Sequence, residues 1–204
     1  GDAYPLRTYE HGFIPLTKAI GQSTPFPSVN NTITVTIATV TPLTAGSKVT
    51  LQGLDGSASA SHPALPIQDA GTAEGLSATA VFGSTADWQQ AGTLVLTVAE
   101  DSTAGAQYVL SFTLANHHCE QAPRTVTMTA GCCPDSSCSY SMVLDPEVNK
   151  TSTCQSTMGD TQPLKVLKPA FVMHNIWQSN PFPCQNNTIS HGWRYNVIRI
   201  CSWA

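Results

Sequence analysis

His117-His118-Cys119 sets two imidazoles beside a thiol, the residue types that hold zinc. A zinc site usually draws on two spaced ligand pairs. Cys132, Cys133 and Cys138 follow, but at spacings that match no common finger. The cysteines read better as disulfides. There are seven, at Cys119, Cys132, Cys133, Cys138, Cys154, Cys184 and Cys201, and the first five fall within 36 residues rich in Ser, Asp and Pro. Clustered cysteines in a loop-like stretch are the mark of a secreted chain, where each bridge contributes roughly 2–4 kcal/mol. An odd count leaves one thiol free or joined to another molecule.

Other chemistry is thinly supported. The 13 acidic residues are scattered, and Asp87, Glu100 and Asp101 sit at expected turns. No carboxylate pair is placed for glycoside hydrolysis, and no serine lies in a Gly-x-Ser-x-Gly elbow. Gly53-Leu54-Asp55-Gly56 reads as a hairpin turn rather than a phosphate loop. The loops carrying Asp55 and Glu100-Asp101 could converge on calcium, a weaker expectation given so few acids. Trp88, Trp177, Trp193 and Trp203 could stack on sugars, although packing at one end of a sandwich is the preferred role for Trp88. The sequence therefore nominates no catalytic residue, no cofactor and no metal site.

Composition points the same way. Charged residues make up only 11% of the 204, against roughly 25% in an average domain, while 41% are hydrophobic. A net charge of −4 without a basic cluster offers nothing to a row of phosphates or an anionic membrane. No apolar run is long enough for a transmembrane helix. The chain opens at Gly1 rather than Met, which fits a processed secreted protein. Three sequons agree with secretion and nominate Asn30, Asn149 and Asn186 as N-glycan carriers.

The elements that would position these residues are short strands. Thr32 to Thr39 alternates apolar and polar residues with period two. Lys48 to Leu54, Thr93 to Ala99, Ala106 to Ala115 and Arg124 to Thr129 do likewise, and Leu76 to Phe82 is a sixth strand candidate. Residues 55–75 read as a long loop and Asp87 to Gly92 as a turn. Pro163 to His174 reads as extended, and the tail after Ile189 could form one more strand. No stretch carries a helical period of useful length. The expected fold is all-β, an immunoglobulin-like antiparallel β-sandwich over 22–129. An extended arm at 1–21 precedes it. A Cys-rich disulfide region at 130–162 and a partial repeat with a tail at 163–204 follow.

The partial repeat is the most specific signal. Gln22 to Ile33 returns as Gln178 to Ile189, with nine of twelve residues identical at an offset of 156. Upstream, Pro5-Leu6 and Phe13 are echoed by Pro163-Leu164 and Phe171, both with an eight-residue step. A fixed period is the signature of tandem units. The first copy opens a whole strand-rich body, whereas about fifteen residues follow the second.

The segments Pro25-Phe26-Pro27, Asn31-Thr32-Ile33-Thr34-Val35-Thr36-Ile37 and Pro42 to Leu54, with Gly92 to Ala99 and Tyr108 to Phe112, carry a resemblance. Over about 22–129, and again at 163–189, the chain resembles the tandem immunoglobulin-like repeats of very large extracellular proteins of microalgae and other protists. That resemblance implies an extracellular place and a fold, not a chemistry. In layout the chain also resembles subunits of extracellular fibrils joined by donor-strand exchange. The Cys-rich insert at 130–162 and the tail after Ser190 depart from the repeat pattern.

The expectation is a structural subunit of a secreted, glycosylated fibril or cell-surface appendage. Its partners would be other copies of itself, joined by strand complementation. Donor candidates are the N-terminal arm, through Leu6, Phe13, Ile14 and Leu16, and a C-terminal segment through Leu164, Val166 and Phe171. The alternative is an immunoglobulin-like adhesion or carbohydrate-binding module of a larger surface protein.

Overall fold

The computed structural model describes residues 19–72, 76–131, 139–146, 162–167, 171–178 and 189–195. The arm at 1–18, and with it Leu6, Phe13, Ile14 and Leu16, lies outside the described residues.

The centre of the first sheet is the Thr-alternating strand read from sequence. It is β2, Asn30–Ala38, and its antiparallel partner is the longest apolar alternation, Gln107–Ala115. All nine residues are in register, and Ile33↔Phe112, Val35↔Leu110 and Ile37↔Tyr108 are buried cross-strand pairs on one face. Each large side chain so buried contributes roughly 1.5–3 kcal/mol. In chain order the other strands are β1 (Ala19–Gln22), β3 (Lys48–Gln52), β4 (His62–Pro66), β5 (Gln68–Thr72), β6 (Thr85–Gln89), β7 (Thr93–Thr97), β8 (the Gln107–Ala115 partner of β2), β9 (Thr127–Gly131), β10 (Ser139–Val143), β11 (Asp145–Pro146), β12 (Phe171–Gln178) and β13 (Ile189–Tyr195).

Two sheets form the body. One runs β11-β1-β2-β8-β5 and the other β10-β9-β3-β7-β6-β4. All named pairs are antiparallel except β1 with β11. Inward residues of both sheets, among them Val49, Leu51, Leu94, Leu96, Met128 and Trp88, share one core with Ile33, Val35, Leu110 and Phe112. The chain is thus an all-β sandwich, as expected.

On both long sides of the sandwich the chain crosses from one sheet to the other. β4 lies at the edge of the second sheet and β5 at the edge of the first, with only Ile67 between them. On the other side β10 passes into β11 through Leu144. Both linking residues are buried. Their N–H groups are used as well, Ile67 donating to Ser84 O at 2.8 Å and Leu144 to Val126 O at 2.8 Å.

Several local expectations change. Leu76 to Phe82 contains a short helix, α1 (Ala78–Phe82), not a strand. Ser77 caps it, accepting from Ala80 N, while Asp69 receives Thr79 N at 2.8 Å; Val81 and Phe82 turn inward. Residues 55–75 hold β4 and β5 rather than a loop. Pro63 and Pro66 are compatible with β4 because it is an outermost strand. Trp88 lies in strand β6, fully buried as a packing residue, with Nε1 donating to Ser59 O at 3.3 Å. Gly53 to Gly56 is a turn but not a hairpin, because β3 pairs with β7 and β9 and not with β4. Gly92, at φ 95, is needed there: a Cβ would collide with the backbone of Asp55. Strands β10 and β11 fall in the stretch read as a disulfide loop and add to the edges of both sheets.

Candidate assembly interface

The repeated segment is held by buried amides. β1 and β2 are joined by residues 23–29, which carry Pro25-Phe26-Pro27. Asn31, fully buried, donates through Nδ2 to Gln22 Oε1 at 2.9 Å and to Asn116 Oδ1 at 2.8 Å. Its Oδ1 accepts from Ser23 N at 3.1 Å and Thr24 N at 3.2 Å. Asn116 then donates to Thr24 O at 2.9 Å and Phe26 O at 2.8 Å. A proline-rich turn has few N–H groups of its own to fix it. Here its carbonyls are fixed by side chains reaching across from the end of β8.

A second segment docks on this turn. Leu164 and Val166 are buried in the body. Val166 and Gln121 exchange backbone hydrogen bonds at 3.0 Å in both directions. Gln121 Nε2 donates to Leu164 O at 2.7 Å, and Gln22 Nε2 to Lys165 O at 3.1 Å. Leu167 N donates to Pro25 O at 2.9 Å. Leu164 adopts φ 55, a left-handed conformation costing a branched residue roughly 1–3 kcal/mol, which burial of its side chain offsets. Two of the C-terminal donor candidates are therefore already used inside their own chain. The third, Phe171, pairs with Tyr195 in the separate hairpin.

That hairpin reproduces the first in register. β1 pairs with β2 as Gln22↔Ile33, Gly21↔Thr34 and Ile20↔Val35. β12 pairs with β13 as Gln178↔Ile189, Trp177↔Ser190 and Ile176↔His191. Every pair is displaced by the sequence offset of 156. The environments differ. β2 is covered along its other edge by β8, whereas among the described residues β13 has no neighbour but β12.

The remaining sequence candidates sit apart from this region or lie beyond description. His117, His118 and Cys119 follow β8, with their ligand atoms within 4.8 Å of one another. The two rings stack at 4.2 Å, and Cys119 N donates to His117 Nδ1 at 3.1 Å, turning that nitrogen toward the backbone. Cys119 is exposed and unbridged. Cys132, Cys133, Cys138, Cys154, Cys184 and Cys201 lie outside the described residues, as do Asn149 and Asn186. Asn30, the first residue of β2, is exposed, and its Thr32 is exposed as well.

The calcium expectation fails on topology. Gln52↔Thr93 and Lys48↔Thr97 put Asp55 beyond one end of the β3–β7 pair and Asp101 beyond the other. Asp55 instead faces Arg124, Oδ2 to Nη1 3.5 Å, and Asp101 accepts from Ala45 N at 2.8 Å.

Sequence reasoning missed Asn116, Gln121 and Gln22 as the residues that hold the repeated segment. Only Gln22 carried a signal, its return as Gln178.

Compared with protein-family models, curated proteins and solved structures, the chain matches none.

Proposed function

We propose that this chain is a structural subunit of a secreted, glycosylated fibril or cell-surface appendage, and that units join by β-strand complementation. The observation that carries the reading is the second hairpin. It has the register of the first, yet its β13 edge has no strand partner among the described residues. A free edge presents a row of backbone donors and acceptors to another chain. The acceptor in this reading is that hairpin. Low charge, clustered cysteines and an exposed Asn30 sequon support an extracellular, glycan-bearing place.

The strand order supports the finer description of the body as immunoglobulin-like: β1-β2-β8-β5 faces β10-β9-β3, the order of strands A-B-E-D against G-F-C. The β6–β7 hairpin, with β4 outside it, extends the second sheet. A second reading has its own support. The register identity of the two hairpins also fits an immunoglobulin-like module in a larger surface protein, with β12–β13 opening the next module.

Light scattering and electron microscopy of the purified chain test the first reading. Polymers that survive dilution are expected, and deleting residues 1–18 abolishes them if the arm is the donor. A monomer at all concentrations sinks the assembly reading in favour of the module.

A further inference from the structure

The stretch that follows β8 carries chemistry that assembly leaves unused. We infer that His117, His118 and Cys119 form a binding site for a zinc-class divalent cation, one that serves a single copy as well as an assembled one. One ligand atom from each residue lies within 4.8 Å of the others. A zinc ion holds imidazole nitrogen at about 2.0 Å and thiolate sulfur at about 2.3 Å, so tetrahedral ligands stand about 3.3–3.6 Å apart. Side-chain rotation supplies that closure, because His118 and Cys119 are exposed and His117 is only half-buried. Cys119 is unbridged, so its sulfur is open to a metal. Binding releases the thiol proton to solvent.

The backbone around the three residues is fixed on both sides. Upstream, Asn116 N donates to Val29 O at 2.9 Å, and His117 O accepts from Ser28 N at 3.2 Å. Downstream, Gln121 and Val166 exchange backbone hydrogen bonds at 3.0 Å. Between these anchors the two imidazoles stack with centroids 4.2 Å apart, tilted by 31°. His117 Nδ1 has two backbone partners within reach, Cys119 N at 3.1 Å and Cys119 O at 3.4 Å. In the tautomer that protonates Nδ1, it donates to that carbonyl and Nε2 keeps a lone pair for the ion. A backbone acceptor on the other ring nitrogen is how metal-bound imidazoles are commonly oriented. Three protein ligands leave the fourth tetrahedral position to water. Zinc suits this set of imidazoles and thiolate and, having no redox chemistry, leaves the thiol intact.

The probe is zinc alone, titrated by calorimetry into the full chain, with cobalt(II) as its spectroscopic stand-in. Saturable binding is expected, with a sulfur-to-cobalt charge-transfer band and slower amide exchange over 117–121. Zinc should raise the melting midpoint, and a chelator should reverse the rise. His118→Ala and Cys119→Ser change exposed side chains. Each should lower zinc affinity by about tenfold or more while leaving the metal-free melting midpoint unchanged. The other six cysteines compete for the ion, and the variants separate them from this site. Zinc binding that both variants leave unchanged overturns the inference. So does the absence of saturable zinc or cobalt binding, or peptide mapping that finds Cys119 in a disulfide. Light scattering reads assembly separately. A monomer that binds zinc at these residues keeps this inference and loses the assembly reading, and a polymer indifferent to zinc at this site does the reverse.

Discussion

Asn31 is where a single atom matters most. Its amide meets Gln22, Ser23, Thr24 and Asn116, and its loss strands the buried side chains of Gln22 and Asn116 at about 1–3 kcal/mol each. Asn31→Ala is expected to lower the denaturant midpoint by the equivalent of at least about 2 kcal/mol with little change in slope. Two titrating groups give pH tests. Burial acts to raise the Asp69 carboxyl, but bonds from Thr79, Ser77 and Ala78 outweigh it and hold the pKa below the ordinary value. The folded pKa is depressed, so this stabilisation is present above the unfolded pKa and fades as pH falls through the folded one. The stability gap between the protein and Asp69→Asn should therefore narrow on acidification; a gap constant with pH refutes it. Burial pushes the Tyr140 hydroxyl up to about 12. Below the unfolded pKa both states are protonated. Between about 10 and 12 the unfolded state loses its proton first and stability declines. Tyr140→Phe should flatten that alkaline decline in thermal melts.

Strands declared themselves in the sequence where one face meets the core and the other meets water. β2, β7 and β8 alternate for that reason. β4 did not, because its His62, Pro63 and Ala64 are exposed at an outer edge and have no apolar face to announce. α1 was hidden because its cap comes partly from Asp69, in another strand, and its five residues are too few to show a period. The docking of Leu164 was also illegible, since Gln121, its partner, is 43 residues away. By contrast the repeated hairpin was visible at once, because identical residues at a fixed offset need no tertiary information. The strap at 163–167 is testable as an element. Leu164→Ala should cost about 2 kcal/mol or more by cavity formation. Limited proteolysis should then cut near Gln162 faster than in the parent chain.

At the scale of the molecule, the all-β class followed from the spacing of alternating segments. The crossing between sheets on both long sides did not, because Ile67 and Leu144 are single residues whose importance lies only in the sheets they connect. Asn30 belongs to this scale too. Enzymatic deglycosylation of protein from a secreting eukaryotic host should reduce its mass, and Asn30→Gln should remove part of that change.

The placement of the strap has a mechanical consequence. Among the described residues the body begins at Ala19, on β1, and the strap ends at Leu167, tied to Pro25 beyond the far end of that strand. Tension applied through these two points pulls along the axis of β1. Its bonds to β2 then share the load in shear instead of opening one by one like a zip. Under stretching by optical tweezers, Leu167→Pro, which deletes the tie to Pro25, should yield at a lower force than the parent. A body gripped this way holds its shape when it is pulled from both ends.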